Sequence, residues 1–276
     1  MQKTSINRLS NPRKNSAIEL VQWPSHAATI DKALAKNVLA IQTTREAPSD
    51  SPRGAHNDQT SPYQHFNLGL HVGDCSKQVE KNRQLLQALL PEKTKIQWLE
   101  QVHGNDVIDV IQVSKKAIVA DAAVTTEKNI CLAIMTADCL PILLASKNGD
   151  EIAAIHGGWR SLAANIVINT LNKMQTPAAD IYAWLGPCIS QRAFEVGSEV
   201  KATFVQQNPS FNSAFILKPD GKYLANLHTI AALQLEGVGI NKFSSLPECT
   251  YFNNDKYYSY RKNAIAGRMA SLICRV

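Results

Sequence analysis

The most regular pattern in the chain is a pair of apolar runs separated by a short polar turn. The runs are Pro141–Ala145 and Ile152–Ile155, and the turn between them contains Asn148-Gly149. Asn-Gly is the dipeptide best suited to two consecutive positive φ angles, so the pattern predicts a β-hairpin.

The register of this hairpin brings together two side chains that can bind a metal ion. The turn centre falls between Asn148 and Gly149. Pro141 then lies opposite His156, and Cys139 lies diagonal to it. Diagonal neighbours are roughly 7–8 Å apart at the backbone, and one ion can bridge side chains at that separation. The alternative is that the cysteine is a small buried hydrophobic residue and the histidine a satisfied surface or core residue.

Helical and strand-like patterns alternate along the rest of the chain. Apolar residues with helical spacing predict an amphipathic helix over Lys77–Leu90, which Pro91 ends. Further helices are predicted over Ser161–Met174, Ala193–Gln206 and Leu224–Glu236, and strands over Val38–Thr43, Ile96–Leu99, Val107–Val113 and Ile181–Leu185. Because hairpins interrupt the alternation, we expect an α+β fold rather than a doubly wound parallel sheet.

Two polar segments stand apart from these patterns. Residues 1–17 contain too few apolar side chains to join a core, so we expect a disordered tail followed by a single catalytic domain over residues 18–276. Residues 46–64 are dense in Ser, Pro, Asp and Gly, which predicts a mobile loop.

The composition is that of an ordinary globular protein and gives no signature of nucleic-acid or membrane binding. Hydrophobic residues make up 45% of the 276 residues and charged residues 19%. The net charge of +6 comes from scattered basic residues, with no run of five or more and no RNA-binding motif. No window approaches the roughly 18 apolar residues of a membrane span. We therefore expect neither nucleic acid nor a membrane as a partner.

The six cysteines form no CxxC pair, and the basic N-terminal segment lacks the apolar region of a secretory signal. These features indicate a reduced cytoplasmic protein. The common short motifs of enzymes are also absent. Gly237-Val238-Gly239 lacks the third glycine of the dinucleotide fingerprint, and Walker A, HExxH, GxSxG and the HxE…PCxxC pattern of zinc-dependent deaminases do not occur.

A series of longer motifs nevertheless follows the order seen in one family. The motifs are FNLGLHVGD, WLEQVHG, ADAAVT, TADCLPILL, AAIHGGWRSL, LGPCIS, FEVGSEV, CTY, SYRK and GRMAS. Over roughly residues 20–276 the chain resembles the YfiH-like laccase-domain family, whose members are also called multicopper polyphenol oxidases and purine nucleoside phosphorylases. The resemblance implies an α+β fold of packed mixed β-sheets flanked by helices, similar to the catalytic domain of cytotoxic necrotising factor toxins.

The resemblance also implies a metal site held by His71, Cys139 and His156. Two histidines, one thiolate and an open position are typical of a catalytic zinc site. A blue-copper site uses similar donors but closely spaced loop ligands and a weak axial ligand. A laccase cluster needs many histidines, whereas this chain has seven and no HxH pair. Zinc is therefore favoured, with copper as an occasional occupant.

The activity that the resemblance implies is phosphorolysis of adenosine, inosine and 5′-methylthioadenosine, with some deamination of adenosine. Phosphorolysis requires an anion site. Arg45, Arg160 and Arg261 are the candidates, because a guanidinium fork matches the phosphate oxygens. A helix that starts just after Gly157-Gly158 would add free N–H groups beside His156.

Other polar residues in the motifs are candidates for contacting the nucleoside. His103 and Gln101 could move protons or bind the base, and Asn67 is a further substrate-binding candidate. Asp138 could orient a ligand or water, or could instead cap the elbow before the hairpin. We expect purine nucleosides and phosphate as ligands, and a monomer or weak homodimer.

The chain departs from the family pattern at HGGWRS, where HAGWRG is usual, and at Lys262 and Asn263, where Arg and Asp are usual. Other activities also stay open. One is a copper-dependent polyphenol oxidase. Another is a cysteine hydrolase or amidase that edits peptidoglycan precursors, with Cys139 as nucleophile and His156 as base. The last is a binding protein that uses its metal structurally.

Overall fold

The computed structural model describes residues 17–24, 34, 36–48 and 61–276. Residues 1–16 of the predicted tail and residues 49–60 of the predicted loop lie outside this part. Ala17 belongs to the packed structure, because its side chain is buried and its carbonyl accepts a hydrogen bond from the Thr44 N–H. None of the described helices is long and apolar enough to cross a lipid bilayer.

The strands, in chain order, are β1 (Ile18–Leu20), β2 (Val38–Thr43), β3 (Lys95–Gln97), β4 (Leu99–Glu100), β5 (Val107–Asp109), β6 (Ile118–Val119), β7 (Ala122–Thr125), β8 (Ile130–Thr136), β9 (Leu140–Ser146), β10 (Ile152–Gly157), β11 (Ile181–Leu185), β12 (Glu195–Val196), β13 (Phe215–Leu217), β14 (Tyr223–Ala225), β15 (Phe243–Ser245) and β16 (Met269–Arg275). The α-helices are α1 (Ser76–Leu89), α2 (Trp159–Ala163), α3 (Ile166–Lys173), α4 (Ser198–Gln207) and α5 (Leu227–Gly237), with 3₁₀ turns at Ala178–Asp180 and Pro209–Ala214.

Two large mixed sheets organise the described part of the chain. One has the strand order β1-β2-β16-β8-β3, and the other has the order β15-β11-β9-β10-β7-β5. Most neighbours are antiparallel, but β3–β8, β11–β15 and β5–β7 are parallel pairs. Two small sheets, β12-β14-β13 and β4-β6, complete the architecture. The expected α+β fold with packed mixed sheets is confirmed.

The two large sheets pack face to face, and helices cover their outer faces. Leu132 of β8 and Leu143 of β9 belong to one apolar cluster between the sheets. The opposite face of β9 packs against Ile166 of α3 and Leu235 of α5, and the opposite face of β8 packs against Leu86 of α1. Burial on both faces explains why these strands are continuous apolar runs in the sequence.

The predicted central hairpin is confirmed, including its register. β9 and β10 pair antiparallel with Pro141 opposite His156. The two consecutive positive φ angles expected at Asn148-Gly149 are not found, because only Gly149 has a positive φ, of 70°. Residues 137–139 form an elbow through which the chain leaves β8 in one sheet and enters β9 in the other. Cys139 therefore lies where the two sheets meet.

The predicted helix over Ser161–Met174 is wrong in its continuity, because the structure divides it into α2 and α3. Asn165 between them has a left-handed φ of 62°. Side-chain amides donate to the carbonyls freed at this break: Gln207 to Ala163 and Asn105 to Ala164, at 2.8 and 2.9 Å. These partners are distant in sequence, so helical periodicity alone could not indicate the interruption.

The helices predicted over Ala193–Gln206 and Leu224–Glu236 begin later than expected. Strands β12 and β14 pair with each other and occupy the first residues of both segments. The second helix starts only after Asn226, whose side chain accepts a hydrogen bond from the Thr229 N–H as an N-cap.

Candidate metal centre

Three donor side chains meet where the elbow, the end of β10 and the loop after β4 come together. One ligand atom from each of His103, Cys139 and His156 lies within 4.8 Å of the other two. The Cys139 Sγ is 3.8 Å from the His103 Nε2. Within the described ranges no other three His, Cys, Asp or Glu donors come this close. His71 lies outside the group.

The elbow that carries Cys139 is fixed by the side chain of the preceding residue. Asp138 has a φ of 94°, and its carboxylate accepts hydrogen bonds from the Thr250 hydroxyl and the Arg261 N–H, both at 2.6 Å. Asp138 therefore joins the elbow to two later segments of the chain. Of the two predicted roles, these bonds support stabilisation of the elbow.

His103 is held by a loop whose backbone N–H groups point at one carboxylate. His103 has a left-handed φ of 59°. The N–H groups of Val102, His103 and Gly104 donate to the Asp121 carboxylate at 3.2, 2.9 and 2.6 Å. Successive N–H groups that converge in this way form a nest for an anion, and Asp121 supplies the anion.

His156 is fixed by the same carboxylate. Its Nδ1 lies 2.8 Å from the Asp121 Oδ1, and its backbone N–H donates to the Asp121 carbonyl at 2.8 Å. Both side chains are buried, with 3% and 0% exposure. Because Nδ1 donates to the carboxylate, Nε2 is the ring nitrogen left to bind a metal.

Gly158 leaves room for the three donors. A Cβ at this position would lie 3.2 Å from the Cys139 Sγ, 3.2 Å from the His103 Cδ2 and 3.6 Å from the His156 Cε1. A side chain there would crowd Cys139 and His103 and touch His156 at an ordinary van der Waals distance.

The neighbouring imidazoles favour the thiolate form of Cys139. Burial alone would raise the pKa of Cys139, but the attraction of His156 and contacts with both imidazoles lower it to about 6. Burial would lower the pKa of His156, but the charge of Cys139 and the bond to Asp121 raise it to about 9. An ion replacing the imidazolium proton would meet one thiolate and two imidazole nitrogens, which is a donor set that suits zinc.

The group opens into a cavity of about 380 Å³, a size typical of small-molecule sites. The cavity is lined by His71, Gln101, His103, Met135, Thr136, Ala137, Asp138, Cys139, His156, Trp159, Arg160, Ile189, Phe194, Leu227, Tyr260, Arg261 and Arg268. Three arginines and the aromatic rings of Trp159, Phe194 and Tyr260 thus line the same cavity as the three donors. Such a cavity can take a ligand that is partly anionic and partly aromatic.

Besides Asp138, four predicted residues line this cavity outside the donor group. Arg160 and Arg261 are exposed at its wall, and His71 lies there with a pKa lowered by burial and by nearby arginines. Gln101 also lines it, but both of its amide atoms bond the backbone of Met135 at 2.8 Å.

Two predicted substrate-binding residues are not among the cavity-lining residues. Arg45 donates to the carbonyl of Asn254 and stacks on the Tyr258 ring at 5.0 Å. The Asn67 side chain accepts hydrogen bonds from the backbone N–H groups of Gly69 and Arg268. In this structure both side chains connect segments of the chain rather than facing the cavity.

Sequence reasoning missed two charged residues of the site, Asp121 and Arg268, as well as the apolar and aromatic residues of the cavity wall. Both fall in quoted motifs, ADAAVT and GRMAS, which were the only signal for them. Arg268 is half-buried, and its pKa is lowered by burial although nearby Cys139 and Asp138 oppose that change. The role of Asp121 depends on pairing between β7 and β10, which no local pattern reveals.

The family model described as multi-copper polyphenol oxidoreductase laccase matches residues 53–276. The chain belongs to this family. The resemblance inferred from the motifs is therefore confirmed.

Several curated proteins match most of the chain. The protein named purine nucleoside phosphorylase YfiH from Shigella flexneri is 38% identical over 258 residues, which cover 94% of this chain and 98% of its own. The protein of the same name from Escherichia coli K12 has the same identity and coverage. A purine nucleoside phosphorylase from Haemophilus influenzae is 38% identical over 242 residues, which cover 86% of this chain and 94% of its own.

Solved structures agree with the fold. The Neisseria meningitidis protein NMB0706 has a TM-score of 0.82 and 35% identity over 94% of this chain and 99% of its own. YlmD from Geobacillus stearothermophilus has a TM-score of 0.77 and 26% identity over 93% of this chain and 97% of its own.

Proposed function

We propose that the protein is a zinc-dependent purine nucleoside phosphorylase. Its substrates are adenosine, inosine and 5′-methylthioadenosine, and deamination of adenosine is a side activity. The observation that carries the proposal is that one thiol and two imidazoles line the same cavity as three arginines. The names of relatives that are 38% identical over most of the chain support the same activity.

The proposed zinc ligands are His103, Cys139 and His156. The resemblance implied His71 in place of His103, but the mutual distances below 4.8 Å support His103. His71 then remains at the cavity wall, where it can hydrogen-bond the purine. Zinc in such a site supplies Lewis-acid activation of water, which is the chemistry that deamination requires.

The proposed phosphate site is the group of Arg160, Arg261 and Arg268. Three guanidinium groups can neutralise a phosphate dianion and bind its oxygens in pairs. Asp138, the one carboxylate among the described residues that line the cavity, already accepts two hydrogen bonds from the protein. It therefore opposes an incoming anion less than a free carboxylate would.

The proposed nucleoside site is the apolar part of the cavity, which includes Trp159, Phe194, Leu227 and Tyr260. Aromatic and aliphatic side chains suit the faces of a purine and a ribose. In phosphorolysis a phosphate oxygen bonds to C1′ as the C1′–N9 bond breaks. The base departs with the electron pair and takes up a proton, which gives ribose 1-phosphate and free purine.

The test is product analysis of the zinc-loaded protein with adenosine and with inosine, at matched concentrations with and without phosphate. We expect base release only with phosphate, together with ribose 1-phosphate. Ammonia release from adenosine should persist without phosphate, because water is then the nucleophile. Equal base release in both conditions would mean hydrolysis instead.

A cysteine hydrolase is the second candidate. It is supported by the 3.8 Å separation of the Cys139 Sγ from the His103 Nε2, since imidazole contact activates a thiol. Alkylation of Cys139 by iodoacetamide separates the two candidates. Fast alkylation that stoichiometric zinc does not slow would favour the hydrolase, because a ligated thiolate is not a free nucleophile.

A further inference from the structure

We propose that Asp121 is a positioning residue that assembles the metal centre by orienting His103 and His156 together. The proposal rests on the metal site proposed above and assigns a role to a residue that has no place in the donor group. Asp121 is fully buried and directly precedes β7.

The first step of the argument concerns the loop that carries His103. A left-handed φ is uncommon for a residue other than glycine and persists only when surrounding bonds hold it. Here three consecutive N–H groups, from Val102 to Gly104, donate to one carboxylate. Without the carboxylate these groups would lose their common acceptor, and His103 would lose the constraint that turns its ring towards Cys139.

The second step concerns His156. β10 pairs with β7 so that Ile155 lies opposite Ala122, and the same register continues to His156 and Asp121. The carbonyl of Asp121 binds the His156 N–H, and its carboxylate binds the Nδ1. A carboxylate on Nδ1 selects the tautomer whose Nε2 carries the free lone pair, and it makes that nitrogen a better ligand.

The test is metal affinity in the full-length Asp121→Asn variant. Asparagine keeps the size of the side chain but loses the charge, and its NH2 group, which only donates, replaces one of the two oxygens that accept the N–H groups. We expect Zn²⁺ to bind 10- to 100-fold more weakly, as for other outer carboxylates of metal sites. The affinity is measured by competition with a chromophoric chelator. Co²⁺ in place of zinc should give a weaker or shifted thiolate-to-cobalt absorption band.

The matched control is Glu151→Gln. Glu151 is also a buried carboxylate, with 4% exposure, and accepts N–H bonds from Gln175 and Thr176 at 2.8 Å. Glu151 lies beside the turn of the β9–β10 hairpin, at the end opposite to His156. We expect both variants to be less stable without metal, but only Asp121→Asn to lose affinity for Zn²⁺ and change the Co²⁺ spectrum.

A second measurement uses the unaltered protein and does not depend on whether the variant folds. In zinc-loaded protein labelled with ¹⁵N-histidine, NMR should show His156 protonated at Nδ1 and bound to zinc through Nε2. Zinc on Nδ1, or wild-type affinity and spectrum in Asp121→Asn, would overturn the proposal. Absence of purine release from protein that binds zinc as expected would count against the phosphorylase activity and leave the role of Asp121 intact.

Discussion

Cys139 is the residue on which zinc binding should depend most, since it supplies the thiolate of the donor group. We expect Cys139→Ala to remove most of the zinc, because one of three protein ligands is lost and the compensating negative charge goes with it. Elemental analysis of purified protein measures the occupancy. Cys75→Ala is the control, since Cys75 is an exposed free cysteine outside the group. Full zinc occupancy in Cys139→Ala would show that the ligands are misassigned.

Gly158 should matter through the space it leaves rather than through any bond. In Gly158→Ala the new methyl group lies 3.2 Å from the Cys139 Sγ and from the His103 ring. We expect zinc affinity to fall by roughly tenfold, because Cys139 and His103 must move apart to make room for the methyl group. Gly237→Ala is a suitable control, since nothing lies within 4 Å of a Cβ there. Unchanged affinity in Gly158→Ala would mean that the ligands move apart without cost.

The β9–β10 hairpin is the element that best illustrates what the sequence can predict. The position of its turn and its register follow from Asn148-Gly149 and two apolar runs, which are local features. His103 could not be assigned in the same way. Its position depends on a left-handed backbone and on bonds to Asp121, 18 residues away in sequence. Tertiary bonds of this kind leave no periodic pattern.

The hairpin turn also allows a test of stability. Gly149 has a φ of 70°, and a Cβ there would lie 2.9 Å from the Asn37 Cβ and the Val38 Cγ2. Gly221 has a similar φ of 82°, but no atom lies within 4 Å of its Cβ position. We expect Gly221→Ala to lose about 1–2 kcal/mol of unfolding free energy from the left-handed backbone alone. Gly149→Ala should lose clearly more.

Denaturant unfolding of the two variants measures the difference. Zinc content should stay unchanged in both, because Gly149 lies at the end of the β9–β10 hairpin away from His156 and Gly221 lies between β13 and β14. An equal loss in the two variants would indicate that Asn37 and Val38 move aside freely.

At the scale of the whole molecule, the cavity collects side chains from widely separated parts of the chain. Arg261 lies on a late segment and is anchored to the carbonyls of Ala193 and Glu195. We expect Arg261→Ala to raise the KM for phosphate by about 10- to 100-fold, because a hydrogen bond to a charged group contributes about that factor to binding. The KM for nucleoside should change much less. Steady-state kinetics with each substrate varied in turn gives both values.

Arg192→Ala is the matched control for this arginine, since Arg192 is exposed and stacks on Phe252 outside the cavity. It should leave both KM values near those of the unaltered protein. A larger change in the nucleoside KM than in the phosphate KM of Arg261→Ala would instead assign that guanidinium to the ribose or base.

The wide sequence separation of the three proposed zinc ligands has a consequence for folding. His103, Cys139 and His156 lie on separate segments, so the unfolded chain presents no preformed zinc site. Nearly all of the binding free energy then acts on the native state. At a free zinc concentration 100 times the Kd, unfolding should cost about 2.7 kcal/mol more than without zinc. Calorimetric scans across a buffered zinc series should show the midpoint rising with the logarithm of free zinc. The melting temperature of this protein would thus record the metal supply of its surroundings.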